Sequence, residues 1–162
     1  MEVRGEDIPF LVSEFSKAGK KAIGLTGEDL FREFLLQNPY ANFEVLKKIP
    51  WKDPEAMFGK PALCLMGRKD SNLLALPKKL RIVISAKYKF IADNYLNALE
   101  AFYGFSFSRI YVKGATEATF AEGISDLIID IVYTGRSMSD NGLRVYEKII
   151  ESDFVIIGGC ND

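Results

Sequence analysis

Histidine is absent from all 162 residues. That absence removes Ser-His and Cys-His nucleophilic catalysis and every histidine-ligated metal site. Cysteine is scarce: Cys64 and Cys160 stand far apart and cannot build a zinc site by themselves. They read as two buried or partly buried thiols in a reducing compartment. No apolar run approaches the ~20 residues of a membrane span. The opening MEVRGEDIPF is charged and carries no apolar core of a signal peptide. Charge of one sign is missing too: 21 Lys+Arg balance 22 Asp+Glu, with pI ≈ 5.6. A balanced chain leaves no electrostatic footprint for nucleic acid or an anionic membrane. The expectation is a soluble, cytoplasmic protein whose chemistry rests on carboxylates, Lys, Arg, hydroxyls, backbone groups or a bound cation. With 48% hydrophobic residues it can fill a core, as one domain or two small lobes.

Short apolar runs alternate with amphipathic stretches of helical length. Strands are expected at 20–25, 43–49, 61–66, 80–86, 105–112, 125–133, 143–151 and 153–158. Helices are expected at 7–17, with Pro9 in its first turn, and at 26–36, capped by Thr26 with Asp29 three positions on. Two more are expected at 88–103, stopped by Gly104, and at 116–123. The stretch 50–61, PWKDPEAMFGKP, reads as a loop. The polar, basic segment 67–79, with Arg68 and Lys69 as solvated charges, reads as a crossover between lobes. Strand–helix alternation of this kind implies an α/β fold with a largely parallel sheet.

Residues 126–142, DLIIDIVYTGRSMSDNG, carry the chemistry. Asp130 interrupts an otherwise apolar strand, where an unpartnered charge costs several kcal/mol, so it calls for a partner. Asp126 reads as a strand-end surface acid. Beyond the strand, Thr134-Gly135-Arg136-Ser137 offers backbone N–H groups, two hydroxyls and a cation. At a helix start this makes a phosphate cradle, and strand carboxyl ends are where ligands of open α/β sheets sit. A plain turn with a capping Ser is the alternative for the bare Thr-Gly-x-Ser. The acid on the preceding strand favours a phosphoribosyl site.

LIIDIVYTGRSMSDNGL closely resembles the phosphoribosyl-pyrophosphate (PRPP) loop of the ATP phosphoribosyltransferase family. KGATEATFAEGISD (113–126) resembles the family's Gly-Ser-x-Glu segment, and RIVISAKYKFIADNYL (81–96) its strand–Lys-Tyr–helix unit. EDIPFLV (6–12) and AIGLTGEDLF (22–31) resemble its Asp-x-Pro helix and its strand–Gly-x-Asp turn. The blocks occur in the family's order. The resemblance implies a two-lobed, periplasmic-binding-protein-like fold with mainly parallel sheets. The first lobe, 1–78 plus 143–162, would lack its opening strand–helix unit and expose apolar surface there. The second lobe, 79–142, would carry the phosphate loop, and the site would lie in the cleft between the lobes.

The implied reaction is attack of N1 of ATP on C1 of PRPP with loss of pyrophosphate, Mg²⁺ assisting. By resemblance Asp130 binds the ribose and Thr134, Gly135, Arg136 and Ser137 the phosphate. Lys87, Tyr88 and Glu117 face ATP, and Asp130, Glu117 and Lys87 make the catalytic set. No direct metal ligand is implied. The partners are ATP and PRPP, a separate regulatory subunit and further copies of the chain, with no nucleic acid and no membrane. The chain departs from the pattern at Ser137-Met138, where the family has Thr-Leu, and at Lys89, where it has Pro. The missing front motivates the other reading, a non-catalytic paralogue that binds a nucleotide or phosphoribosyl ligand as a regulatory module.

Overall fold

A computed structural model describes residues 1–160. They form two compact units. The first comprises Met1–Lys52 and the chain from Ser152 onward; the second is Asp53–Glu151.

In the first unit, helix α1 (Ile8–Lys17) and helix α2 (Glu28–Gln37) cover a sheet of β1 (Ile23–Gly27), β2 (Phe43–Ile49) and β8 (Phe154–Gly159). The strand order is β1-β8-β2, antiparallel throughout. Its core gathers Val12, Phe31, Val155 and Ile157, with Phe43 edge-on to Phe31 and Phe34. Gly24 is required where α1 crosses β1, because a Cβ there would collide with Ile8 Cγ2. The cap expected at Thr26 is not formed. Thr26 is buried in β1 and donates to the Gly5 carbonyl at 2.8 Å, tying down the preceding turn. Ser152 takes over at the start of α2: its hydroxyl donates to Asp29 Oδ1 at 2.6 Å and accepts from the Asp29 N–H at 3.4 Å. The outer face stays apolar and open, with Ile23 72% and Leu25 52% exposed.

The second unit is built on a five-stranded sheet of β3 (Ala62–Arg68), β4 (Lys79–Ser85), β5 (Ser106–Val112), β6 (Leu127–Val132) and β7 (Leu143–Glu151), ordered β5-β4-β6-β3-β7. Helix α3 (Lys89–Tyr103) joins β4 to β5. Helix α4 (Thr116–Ala121) joins β5 to β6, and the short α5 (Arg136–Asp140) joins β6 to β7. Gly104 ends α3 in the left-handed region at φ +71°, as its position predicts.

Two expectations change here. Parallel pairing is confined to β4 with β5 and β4 with β6, whereas β3 runs antiparallel to both β6 and β7. The α/β class stands, and the sheets are mixed rather than mainly parallel. The boundaries expected at 78 and 143 move to 52/53 and 151/152. The reason is β3, whose residues Ala62–Met66 are wholly buried between β6 and β7. An all-apolar strand hydrogen-bonded on both edges is a sheet centre. The segment read as a lobe crossover is therefore the β3–β4 loop, inside the second unit.

Arg81 and Asp126 fasten β4 to the start of β6. The guanidinium reaches both carboxylate oxygens at 2.9 and 3.2 Å, and the Arg81 N–H adds a third bond at 2.8 Å. These donors hold the Asp126 carboxyl below its ordinary value of 3.8. A depressed carboxylate contributes its stability above the unfolded pKa and loses it as pH falls through the folded one. Asp126→Asn is therefore expected to lower the melting temperature at pH 7 and to leave it unchanged near pH 2. An equal loss at both pH values would place its role elsewhere.

Cys64 lies in the middle of β3, fully buried, and burial pushes its thiol up to about 12. Cys160 is only partly buried. A thiol reagent at neutral pH is expected to label Cys160 readily and Cys64 on the order of 100-fold more slowly, with both labelling in denaturant. Two fast thiols in the folded protein would contradict this core.

Candidate phosphoribosyl-binding site

The register of the parallel strands brings three loops to one edge of the second unit. Ser85 of β4 is level with Val112 of β5, and Ile84 is level with Ile129 of β6. Their carboxyl ends release the turn 86–88, the segment 113–116 and the loop 133–135 side by side. This is the edge at which ligands of open α/β sheets bind.

Asp130 sits on that edge, partly buried on β6. The partner its sequence context demanded is Thr116, the first residue of α4. Thr116 is 3% exposed and its hydroxyl donates to Asp130 Oδ2 at 2.7 Å. Asp130 Oδ1 accepts the Ile131 N–H at 2.7 Å. The carboxylate is thus held from two sides.

Next along α4, the Glu117 carboxylate accepts a hydrogen bond from the Ser137 hydroxyl. Two adjacent residues of one short helix therefore reach the acid of β6 and the loop after it. A backbone irregularity aims them: Ala115 has φ +56°, the one positive φ among the described non-glycine residues.

The loop turns at Gly135, with φ +80°. Its start is fixed by the Thr134 hydroxyl, which accepts the Arg136 N–H at 3.3 Å. Its end is fixed by Met138, which is 4% exposed among Ala62, Cys64, Ile128 and Leu143. Met and Leu have similar volumes, so the departure at 138 keeps this anchor. Thr134, Arg136 and Ser137 remain exposed. Glu117, Thr134, Gly135, Ser137 and Met138 line a cleft of about 200 Å³. The arrangement combines hydroxyls, backbone N–H groups and a cation on a glycine turn, with two carboxylates beside it. That suits a phosphorylated sugar: the loop for the phosphate, the strand acid for vicinal hydroxyls.

The other expected residues are placed as follows. Lys87 is exposed in the turn 86–88, on the same edge. Tyr88 is 5% exposed, so its ring packs into the protein rather than facing ATP. Burial of an aromatic ring outweighs presentation of its hydroxyl here. Asp126 lies at the opposite end of β6, paired with Arg81.

Sequence reasoning missed the loop at 53–59, read only as a connector. The Tyr133 hydroxyl donates to Asp53, which holds that carboxyl below the usual carboxylate range. The Met57 N–H donates to the Tyr133 carbonyl at 2.7 Å, and the Met57 side chain lies 3.5 Å from where a Cβ on Gly135 would sit. This loop backs the turn at Gly135. No local pattern signals it, because its partner lies some eighty residues on. Thr116 was missed for a similar reason: its partner is set by the β5–α4–β6 connection, not by spacing.

The fold and the site together define an α/β protein of the binding-protein type with a glycine turn, rich in hydroxyl and N–H groups, at the carboxyl ends of parallel strands. A sequence profile of the ATP phosphoribosyltransferase family matches residues 4–161. The ATP phosphoribosyltransferase of Campylobacter fetus is 33% identical over 159 residues, covering 98% of this chain and 68% of that protein. That of Caldicellulosiruptor bescii is 32% identical over 143 residues, covering 88% and 61%. Among solved structures, the ATP phosphoribosyl transferase (HisG:HisZ) complex from Thermotoga maritima matches with TM-score 0.72 and 24% identity, over 98% of this chain and 67% of that one. The periplasmic aliphatic sulphonate binding protein SsuA of Escherichia coli shares the fold at TM-score 0.59 and 14% identity, over 93% and 51%. The chain belongs to the ATP phosphoribosyltransferase family. It spans about two thirds or less of the length of these relatives.

Gly135→Ala tests the turn. A Cβ would meet its neighbours at ordinary contact distance, 3.5 Å, so the cost is conformational and not steric. The expected loss is about 1–2 kcal/mol of stability for Ala at positive φ, with weaker phosphate binding. Unchanged melting would mean that the turn is not held left-handed.

Proposed function

We propose that this protein transfers the phosphoribosyl group of PRPP to N1 of ATP with release of pyrophosphate, the first step of histidine biosynthesis. The observation that carries the proposal is the convergence of Asp130, Glu117 and the Thr134–Ser137 turn at one strand edge. The reaction forms a bond from adenine N1 to ribose C1 and breaks the bond from C1 to the pyrophosphate oxygen. Both electrons of that bond leave with pyrophosphate. The transition state carries positive charge on the ribosyl centre, so catalysis consists of positioning and electrostatic stabilisation. It needs no histidine.

In this reading Ser137, Thr134 and the loop N–H groups hold the 5-phosphate, and Arg136 neutralises it. Asp130 accepts the ribose hydroxyls and places its negative charge beside the cationic ring. Glu117 must release Ser137 when phosphate arrives, since a carboxylate and a phosphate repel. It is then free for the ATP side, where Lys87 counters phosphate charge. The packed ring of Tyr88 leaves it a supporting place under this edge. A Mg²⁺ ion would be held here mainly through the substrate's own phosphates. No cluster of three or more metal-ligating side chains exists among the described residues, and an ion bound mainly through substrate phosphates needs at most one or two carboxylates. Glu117 is the side chain beside the loop that could take such a position. When bound, the ion neutralises charge developing on the leaving group.

The Thermotoga relative is a complex of two kinds of subunit. We extend that to this chain as assembly with a separate regulatory subunit and with further copies of itself. The open apolar face at Ile23 and Leu25 supports a partner there. No described helix is long and apolar enough to cross a membrane, and the pathway supports a cytoplasmic location.

Purified protein given ATP, PRPP and Mg²⁺ is expected to release pyrophosphate. Asp130→Asn should lower that rate ~10-fold or more, the equivalent of ~1.4 kcal/mol of lost charged hydrogen bonding. Binding of PRPP without turnover would instead favour the non-catalytic, ligand-binding reading. No turnover and no binding by folded protein would end both.

A further inference from the structure

We propose that Thr116 is a positioning residue for the ribose. Its hydroxyl orients the Asp130 carboxylate and so sets the affinity for PRPP. The inference rests on the reading that Asp130 accepts the ribose hydroxyls.

The Gly-Ser-x-Glu pattern leaves position 116 open, and this chain fills it with a residue carrying both a methyl and a hydroxyl. Thr116 is 3% exposed, and its hydroxyl is aimed at a carboxylate 2.7 Å away. A buried hydroxyl needs a partner, and the one it has is the acid of the site. The bond engages Oδ2 while the Ile131 N–H engages Oδ1, so rotation of the carboxylate about its Cβ–Cγ bond is blocked from both sides.

The donor is itself held. The Thr119 hydroxyl donates to the Thr116 carbonyl at 2.6 Å and lies 2.9 Å from the buried hydroxyl of Ser125, which precedes β6. Ala115, in the left-handed region, turns the chain so that Thr116 points inward while Glu117 reaches Ser137. A carboxylate fixed in this way meets a ribose diol without reorganising. One left free to rotate must be ordered on binding, and that ordering weakens affinity.

Thr116→Val keeps the shape and removes the donor. It is expected to weaken PRPP binding by calorimetry about tenfold, the scale of a hydrogen bond to a charged group. KM for PRPP should rise in parallel, with kcat lowered less than about threefold, because Asp130 keeps its charge beside the ribosyl centre and loses only its fixed orientation. Thr116→Ser restores the donor and should bring affinity back to within about twofold of the parent. Combined with Asp130→Asn, Thr116→Val should add less than about twofold, since the residue through which it acts has already been altered. Thr116→Ala serves in the same comparisons if the Val variant does not fold.

A similar loss of affinity from Thr116→Val in the parent protein and in the Asp130→Asn variant, or no rescue by Ser, would show a general packing effect and overturn the proposal. PRPP binding by the parent that Thr116→Val leaves unchanged would overturn the positioning role alone. A folded parent that binds no PRPP would overturn the functional reading and this role with it.

Discussion

Asp130 is a charge on a strand whose preceding residues are wholly buried, and the second unit is arranged around that fact. A carboxylate at this depth is tolerated only where donors meet it. Thr116 from α4 and the Ile131 N–H supply them. Supplying Thr116 fixes where α4 begins. That in turn carries Glu117 to Ser137 and brings the Gly135 turn under the same helix. The requirement that a half-buried charge be satisfied therefore sets the geometry of both halves of the site.

The rigid part of this arrangement lies beneath it. Ile128 and Val132 of β6 pack with Ala62, Cys64 and Met66 of β3, and Met138 joins the same core from the far side of the turn. The loop is thus pinned by its apolar anchor while Thr134, Arg136 and Ser137 stay exposed. A turn gains both precision and access from this division, with one side chain buried and its neighbours left at the surface.

Much of this was legible in the sequence because local physics decides it. The strand at 125–133, the helix at 88–103 with its Gly104 stop, and the turn at Gly135 all follow from periodicity and backbone preference. The need of Asp130 for a partner was legible as well, though not the partner's identity. What could not be read depended on tertiary pairing. β3 looks like any short apolar strand until β6 and β7 are seen on its two edges. Thr26 has the composition of a cap, yet the Gly5 carbonyl claims its hydroxyl and Ser152, more than a hundred residues away, does the capping. Tyr88 reads as facing ATP from the Lys-Tyr resemblance alone, and its 5% exposure depends on packing that no local pattern shows.

The strand order of the first unit has a consequence for the order in which the protein is made. β8 is the middle strand of β1-β8-β2, and it is the last of the three to be synthesised. β1 and β2 have no hydrogen-bonded sheet to join until it arrives. The second unit, by contrast, has all five of its strands before residue 152. During translation the unit with the phosphate turn can close first, while α1, α2 and their two strands wait with apolar faces uncovered. Those segments spend the longer time exposed to chaperones and to other chains, although they leave the ribosome before the second unit does.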